Sequence, residues 1–361
     1  MTTLELAAVA PLSLLRPAPR NIQDSNGNPA FGTYQGELDE VDLTQLEGDY
    51  QLIRPLRLLK EKKWQYAMVV TPELIAAYLI ADLSYSASAF VYAVDLREKR
   101  PLVDRSYIGV PGRMARVGNR PGTGFEAHFT TVNASFRAAR PGSGERYRTT
   151  IDVWDVPLLK RALRWEGEIL AVGGAPALSV IAPAGGGGTG QVNVTQKQAG
   201  LLAFGTLIAN GRRYPLDGGV AGLDYTHGYL PRHTAWRWAM ACGRLDDGTP
   251  VGLNLVEGFN DDSDQVNENA LWIGSRLYPL ARARFSFSKR DPLDEWHVTT
   301  IDQELELRFR PVHVHREERD LKVVRSRFVQ PAGTFTGTAL VNGRRIPLSL
   351  AGVTEEQDVL W

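Results

Sequence analysis

Residues 224–243 read DYTHGYLPRHTAWRWAMACG, which gathers acidic, basic and aromatic side chains into one short segment. Asp224 and His227 are close enough in sequence for the carboxylate to fix the tautomer of the imidazole and raise its basicity, as general acid–base catalysis requires. The structural alternative is that Asp224 caps a turn and His227 bonds a backbone carbonyl. The segment therefore contains a candidate acid–base pair.

Glu257 is a third candidate catalytic residue. In VGLNLVEGF (251–259), the alternation of a strand places Glu257 on the face of Val251, Leu253 and Leu255. A carboxylate on an apolar face must be paired or have a raised pKa, and that combination is typical of functional sites. The alternative is that the strand ends here and Glu257 reaches solvent.

Five further residues are candidates for binding a substrate. Arg232 could hold a carboxylate or enolate oxygen, or pair with Asp224 as a tether. Trp236 and Trp238 share one face of a predicted strand, where they could wall an apolar ligand or fill a barrel core. Amide groups that could orient substrate oxygens are supplied by Asn254 and Asn269.

Metal and cofactor motifs are weak or missing in the sequence. His313 and His315 share a strand face without an evident third ligand, and the acidic loop 260–265 lacks the glycine and distal glutamate of an EF-hand. The glycine run 183–191 is not followed by Lys-Ser or Lys-Thr, so it is typical of a hairpin loop and not of a P-loop. Hydrolase, zincin and Rossmann motifs are absent from the sequence. We expect no metal and no cofactor.

Composition narrows the range of partners. The 361 residues include 41 Lys plus Arg and 41 Asp plus Glu, and a formal net charge of zero argues against a nucleic-acid-binding surface. Cys242 is the single cysteine, which rules out an internal disulfide and a Cys-cluster metal site. The sequence lacks both a long apolar run and a basic leader. We expect a cytoplasmic protein with no membrane span, and its oligomeric state stays open.

The elements that position these residues are predicted to be mostly strands. Period-two alternation of apolar and polar residues recurs along the chain, and Gly and Pro punctuate it. Helical periodicity is limited to 72–80, which could equally be a strand, and to 156–165. The alternating runs are 89–96, 125–138, 146–156, 163–170, 281–288 and 304–315.

Two sequence patterns occur twice and in the same order. WQYAM at 64–68 is echoed by WRWAM at 236–240, and an Asn-Gly-Arg-Arg hairpin near 210 is echoed near 342. Asn-Gly between apolar runs is a strong hairpin signal. The chain is therefore predicted to contain two copies of one β unit. DYTHG has VTEEQ as its counterpart in the second copy, so its histidine is not required by a shared fold.

Each copy is long enough for eight to ten antiparallel strands, and such a sheet hides its edges by closing on itself. We predict an all-β fold of two lipocalin-like antiparallel β-barrels in tandem. A single sandwich or a propeller is the alternative, although a propeller would show more repeats. The predicted divisions are an N-terminal arm at 1–34, a first barrel at 35–222 and a second barrel at 223–361.

Several runs resemble an uncharacterised bacterial family known as a domain of unknown function. They are KKWQYAMVVTPE (62–73), the run from His227 to Asn260, NENALW (267–272) and the C-terminal hairpin, so the resemblance covers most of 50–361. The tandem β units also resemble two-barrel lipocalin-like proteins, which include carotenoid hydratases, tocopherol cyclases and fungal Diels–Alder cyclases. That resemblance is architectural and brings no matched catalytic motif.

Two functions follow as hypotheses. In the first, an apolar cavity within or between the barrels holds a lipophilic small molecule, and the polar residues isomerise, hydrate or cyclise it by proton transfer. In the second, the protein is a non-catalytic carrier of a lipid or pigment. A purely structural reading, in which the polar cluster only ties the two units together, also stays open at this point.

Overall fold

The computed structural model describes residues 15–142, 144–155, 160–185, 190–261, 266–320 and 324–361. Within these ranges there is one α-helix, α1 (Arg54–Lys60), and there are two short 3-10 turns at Leu43–Gln45 and Gly48–Tyr50. The remaining regular structure consists of strands, which are β1 (Arg16–Pro17), β2 (Gly32–Gln35), β3 (Glu61–Val70), β4 (Leu74–Asp82), β5 (Ala87–Asp95), β6 (Arg100–Gly109), β7 (Ala115–Val117), β8 (Phe125–Thr131), β9 (Ala134–Arg140), β10 (Arg146–Asp155), β11 (Lys160–Leu170), β12 (Leu178–Ala182), β13 (Val192–Ala209), β14 (Arg212–Pro215), β15 (Gly219–Tyr229), β16 (His233–Arg244), β17 (Pro250–Glu257), β18 (Ala270–Ile273), β19 (Arg276–Pro279), β20 (Ala283–Ser286), β21 (Trp296–Thr300), β22 (Leu305–Asp320), β23 (Arg325–Val341) and β24 (Arg344–Leu360).

The strands form two large sheets. The first has the order β6-β5-β4-β3-β15-β13-β11-β10-β9-β8-β7, with β1, β2, β12 and β14 attached beside it. The second has the order β19-β18-β17-β16-β24-β23-β22-β21-β20. Pairing is antiparallel except between β1 and β2. Both sheets are curled, one into a nearly closed barrel and the other into a half-barrel, so the predicted all-β, two-unit fold is confirmed.

The chain passes from the first sheet to the second between Tyr229 and His233. The predicted division at 222/223 falls within β15, which lies between β3 and β13 in the first sheet. The described part of the predicted arm contributes β1 and most of β2 to the same sheet. The three-part division of the chain stays a proposal, and residues 1–14 lie outside the described ranges.

Two segments with helical periodicity are strands, and the helix that forms was not predicted. Residues 72–80 fall largely in β4, which is buried on both of its faces, so the alternation that marks a half-buried strand is lost. Residues 160–165 belong to β11, where pairing on both edges overrides the local pattern, and 156–159 lie outside the described residues. The helix α1 begins after Ile53, with a proline in its first turn.

The internal repeat is visible in the strand pairing. β3 lies between β4 and β15, and β16 lies between β17 and β24 in the second sheet. The two Asn-Gly turns, at 210–211 and 342–343, have positive φ at both residues, as a two-residue type I′ hairpin requires. β3 and β15 therefore correspond to β16 and β24.

The sheets pack against each other across β15 and β16. Small residues allow close approach here, because a Cβ on Gly222 would collide with Met240 and one on Gly252 would collide with the backbone of Ala199. Alternate residues of β16 fall into separate cores. Trp238 and Met240 belong to the cluster shared with the first sheet, whereas Ala239 and Ala241 belong to the core of the second sheet.

Candidate functional site

A cleft of about 980 Å³, a volume that includes space open to solvent, lies between the two sheets. The rings of Trp64 and Trp236 are stacked, with centroids 6.1 Å apart and planes 14° from parallel. Tyr66 and Trp238 meet edge to face at 5.3 Å. Equivalent residues of the two repeats thus face each other. The other aromatic residues that line the cleft are Phe90, Phe259, Phe328 and Trp361.

Among the carboxyl groups that line this cleft, one from each repeat occupies the same position of its sheet. Asp224 pairs across strands with Tyr66, and Glu355 pairs across strands with Trp238. Because Tyr66 and Trp238 are equivalent in the repeat, Asp224 and Glu355 are equivalent as well. The register matches His227 with Asp358. The alignment of DYTHG with VTEEQ was therefore out of register, and an acid occupies this position in both copies.

Asp224 belongs to a buried cluster of charges. Its Oδ2 lies 2.5 Å from Nζ of Lys197, and the same Nζ lies 3.7 Å from Oε1 of Glu268. All three side chains are at most 8% exposed. Burial raises the pKa of Glu268 to about 6, with Lys197 acting against the rise and Asp224 adding to it. A lysine and two acids therefore share one water-poor region of the cleft.

Glu355 is held from two sides. Nε1 of Trp236 donates to its Oε1 at 2.7 Å, and Nε2 of Gln330 donates to its Oε2 at 2.7 Å. The hydroxyl of Tyr92 donates to Oε1 of Gln330 at 2.6 Å and fixes the orientation of that amide. Burial raises the pKa of Glu355 to about 7, although both hydrogen bonds favour the ionised form. A substantial fraction of this carboxyl group is protonated at neutral pH.

Tyr66 offers a polar group to a ligand. Its side chain is 3% exposed and lines the cleft, and its hydroxyl makes no well-formed hydrogen bond within the described part of the chain. Burial and the neighbouring Tyr92 raise the pKa of Tyr66 well above its usual value, so the phenol stays neutral. A buried hydroxyl whose hydrogen bonding is poor costs free energy that a ligand oxygen could recover.

Asp224 is the only one of the three predicted catalytic residues that lines the cleft. His227 is three positions further along β15 and lies on its opposite face. Its Nε2 is 2.9 Å from Oε1 of Glu61, and burial lowers the pKa of His227 to about 4 despite this hydrogen bond. The imidazole is therefore neutral near pH 7, and the expected Asp224–His227 pair does not form.

Glu257 lies at the end of β17, away from the cleft lining. Its carboxylate is 3.5 Å from both Arg237 and Arg284, and it accepts a hydrogen bond of 3.2 Å from the backbone N–H of Phe285 on β20. The carboxylate of Glu257 is therefore paired, as its place on an apolar strand face predicts. The partners are two arginines, which link β16, β17 and β20 of the second sheet.

Trp236 and Trp238, predicted to bind substrate, both line the cleft. Asn254 lies behind this wall, where its Oδ1 accepts a hydrogen bond of 2.8 Å from Nε1 of Trp238 and its Nδ2 donates to the carbonyl oxygen of Glu268 at 2.8 Å. Asn254 thus links Trp238 of the cleft wall to the segment that contains Glu268. Asn254 supports the cleft without lining it.

The other two predicted substrate-binding residues also lie outside the cleft lining. Asn269 accepts a hydrogen bond of 2.5 Å from the backbone N–H of Val256 and so holds its own segment against β17. Arg232 is exposed in the connection before β16, and its carbonyl oxygen accepts a hydrogen bond from the backbone N–H of Trp361 at 2.8 Å. Neither side chain is part of the aromatic wall.

Several cleft residues were not selected from the sequence. Lys197 lies in β13 within VNVTQKQAG, and only the structure shows that residues 192–200 are all buried. Glu355 lies in VTEEQ, which was set aside because it has no histidine. Gln330 and Tyr66 carry no local signal, because only the strand register brings them beside Glu355 and the cleft.

The two histidines considered as a metal pair instead contact one carboxylate. Asp104 of β6 lies 2.7 Å from Nε2 of His313 and 2.6 Å from Nδ1 of His315, both on β22, so it joins the two sheets. Burial acts against protonation of His315, yet Asp104 and Glu317 raise its pKa to about 9. The described ranges contain no group of three or more metal-type ligands, and Asp262 and Asp264 lie outside them.

The sequence matches the family model described as "Domain of unknown function (DUF2804)" over residues 16–361. The chain belongs to the DUF2804 family. The family resemblance seen in the WRWAM and GLNL runs is thereby confirmed. None of the curated proteins matches the sequence of this DUF2804 chain. In the described part of the DUF2804 protein, no helix has both the length and the apolar character needed to cross a membrane.

Solved structures show partial likeness to this DUF2804 protein. A protein of Nitrosomonas europaea (NE1406), provisionally assigned as AttH, is 18% identical with a TM-score of 0.49, over 84% of this chain and 96% of that one. CghA with Sch210972 is 11% identical with a TM-score of 0.49, over 92% and 99%. Kievitone hydratase from Nectria haematococca is 11% identical with a TM-score of 0.47, over 90% and 97%. Likenesses of this extent carry no inference about chemistry, which must come from the cleft residues.

Proposed function

We propose that this DUF2804 protein binds a lipophilic small molecule in the cleft between its sheets and transforms it by acid–base chemistry without a cofactor. The observation that supports the proposal is that Asp224 and Glu355 face one aromatic cleft from equivalent positions but in different electrostatic environments. Aromatic walls suit a flat or polyene ligand and exclude water from it. Chemistry of the isomerisation, hydration or cyclisation type fits this arrangement.

The two environments suggest separate roles. Glu355, with a pKa raised to about 7 by burial, is suited to donate a proton as general acid. Asp224, as the carboxylate paired with Lys197, is suited to accept one as general base. Titratable groups whose environments differ in this way are the usual pattern for paired acid–base residues. Tyr66 would donate a hydrogen bond to a substrate oxygen.

The proton balance of an isomerisation illustrates the scheme. One substrate C–H bond breaks, its proton moves to Asp224 and its electron pair forms a new π bond. The adjacent π bond of the substrate opens, and its electron pair takes the proton that Glu355 gives up. The substrate keeps its composition and no electron is lost or gained. Exchange of one proton with water at the mouth of the cleft then restores both carboxyl groups. His227 and Glu257 would act in this scheme by stabilising the sheets.

A non-catalytic carrier of a lipid or pigment is the second candidate. It is favoured by the fact that both oxygens of Glu355 already accept hydrogen bonds and Asp224 already has Lys197 as a partner. Groups satisfied in this way do not need a substrate to explain them. A carrier would use the same aromatic walls, and it would release its ligand unchanged.

The decisive experiment starts with native mass spectrometry of protein purified from its own host, followed by extraction and identification of any bound lipophile. That compound is then incubated with the wild type, Glu355→Gln, Asp224→Asn and the control Glu166→Gln, which changes an exposed carboxylate paired with Arg164. An enzyme should convert the compound, and each cleft variant should bind it but turn it over about a hundredfold more slowly. Binding without conversion in all four proteins supports the carrier. Failure to bind any extracted lipophile or the dye anilinonaphthalene sulfonate contradicts both.

A further inference from the structure

The helix α1 carries apolar side chains that are largely exposed in the described part of the chain. None of its seven residues is buried. The exposed fractions in and just before it are 67% for Ile53, 43% for Leu56, 50% for Leu58 and 62% for Leu59. Isolated exposed apolar residues are ordinary, but a cluster of them marks an interaction surface.

The same helix is basic. Its sequence, RPLRLLK, contains Arg54, Arg57 and Lys60 and no acidic residue. The formal net charge of the whole protein is zero, so this positive charge is local. The acid that follows, Glu61, is already paired with Lys63 and with His227. Exposed leucines together with arginines are the combination that binds the interface of an anionic bilayer.

The helix ends beside the cleft. Nζ of Lys62 donates a hydrogen bond to the carbonyl oxygen of Leu59 at 2.6 Å, and it lies 5.4 Å from the ring centroid of Trp361. Trp361 lines the cleft, as does Trp64 two residues further along β3. A surface that contacts the helix would therefore lie next to the cleft.

We propose that α1 docks the protein on an anionic lipid surface. Leu56 and Leu59 are spaced three residues apart, so they lie on neighbouring positions of one side of the helix and enter the interface together. The exposed Ile53 directly precedes the helix. Arg54 and Arg57 contact the lipid phosphates. A lipophilic molecule could then move between the bilayer and the adjacent cleft with little exposure to water. The docking goes beyond the proposed chemistry and is tested without it.

The test is co-sedimentation of the whole protein with vesicles of phosphatidylcholine alone and with vesicles that contain equal parts of phosphatidylcholine and phosphatidylglycerol. The wild type should sediment with the mixed vesicles and stay in solution with the neutral ones. Leu59→Glu should weaken binding at least about tenfold, because it replaces an inserted side chain by an anion. Arg54→Glu should weaken it about fivefold or more, and added salt should do the same.

The matched control is Ile108→Glu on β6, because Ile108 is 63% exposed and Leu59 is 62% exposed. It should bind the mixed vesicles as the wild type does. Far-ultraviolet circular dichroism checks that each variant is folded, and Leu59→Ser replaces Leu59→Glu if the latter is not. Equal binding of the wild type to both vesicle types, or an equal loss in Ile108→Glu, overturns the proposal. The proposal is also overturned if the wild type binds neither kind of vesicle and mass photometry shows a dimer that Leu59→Glu dissociates. In that case α1 is an interface between two copies of the chain.

Discussion

Nε1 of Trp236 donates a hydrogen bond of 2.7 Å to Oε1 of Glu355, so a wall residue of the cleft also holds the acid that we propose as proton donor. Burial raises the pKa of Glu355 to about 7, and this hydrogen bond limits the rise. The shape of the cleft and the protonation of its acid are therefore coupled. A substitution of Trp236 should therefore change the pKa of Glu355.

Replacement of Glu355 by Gln should remove a pH dependence of stability. The folded-state pKa is about 7 and the ordinary value is 4.5, so the wild type gains most from this group below about pH 4.5 and loses that gain as pH rises through 7. The loss amounts to roughly 3 kcal/mol of unfolding free energy. Urea unfolding at about pH 5 and about pH 8 measures it. Equal pH slopes in the wild type and Glu355→Gln would show that Glu355 does not titrate in this range.

Replacement of Asp104 by Asn should weaken the junction between the sheets. The change leaves His315 buried beside a neutral amide, and the expected loss of unfolding free energy is about 2–3 kcal/mol. The control Asp155→Asn breaks the exposed pair with Arg105 and should cost less than about 1 kcal/mol. A similar loss in both variants would argue against a special role for the buried contact.

The same contact predicts an alkaline effect. The pKa of His315 is raised from 6.5 to about 9, so its stabilising contribution is complete below about pH 6.5 and is lost as pH rises through 9. The decline in unfolding free energy over this interval should be much smaller in Asp104→Asn. Chemical unfolding of both proteins at several pH values between these limits checks the prediction. An identical decline in both proteins would assign it to other groups.

Replacement of His227 by Ala should reduce stability but leave the cleft able to bind. The side chain lies on the face of β15 opposite to Asp224, and its loss removes the hydrogen bond with Glu61 and creates a small cavity, which together cost about 2–3 kcal/mol. Anilinonaphthalene sulfonate should bind the folded variant and the wild type with similar affinities, as measured by the rise in dye fluorescence when each protein is added. A tenfold loss of affinity in a folded variant would show that His227 contributes to binding in the cleft.

Replacement of Gly252 by Ala should be strongly destabilising. A Cβ there would collide with the backbone of Ala199 in the other sheet, so the sheets must shift apart locally, at a cost of about 2–3 kcal/mol or more. Gly142 provides the control, because a Cβ at that position would have no atom of the described chain within 4 Å apart from its sequence neighbours, and Gly142→Ala should be nearly neutral. Thermal unfolding of the two variants distinguishes them. Equal melting temperatures would contradict the close contact between the sheets.

The strands and hairpins were predictable because their signals are local. The Asn-Gly turns need only positive φ at adjacent residues, and the alternating runs at 125–138 and 146–156 need only one buried face. β4 is ambiguous in the sequence because both of its faces are buried, and a strand with two apolar faces has no period-two signal. The short α1 lacks an apolar stripe that packs on a core, which is the usual signal of a helix.

The candidate site was only partly predictable, because it depends on register. Asp224, Trp236 and Trp238 were selected from residue type and spacing, and they do line one cleft. Lys197 is brought beside Asp224 by the pairing of β13 with β15, whereas Glu355 lies on the other sheet and comes near Asp224 only through the packing of the two sheets. Neither relationship can be read from the local sequence. His227 was selected with Asp224 because they are near in sequence. A strand sends residues three apart to opposite faces, so that proximity was misleading.

The close backbone contact at Gly252 and the small residue Gly222 lie at one end of the seam between the sheets, and the stacked rings of Trp64 and Trp236 lie further along it. The two sheets are thus in closest contact at the glycines and diverge towards the rings. A larger side chain at Gly222 or Gly252 would change the distance between the sheets at Trp64 and Trp236 without contacting either ring. The width of the cleft is consequently set as much by the smallest residues of the seam as by the largest.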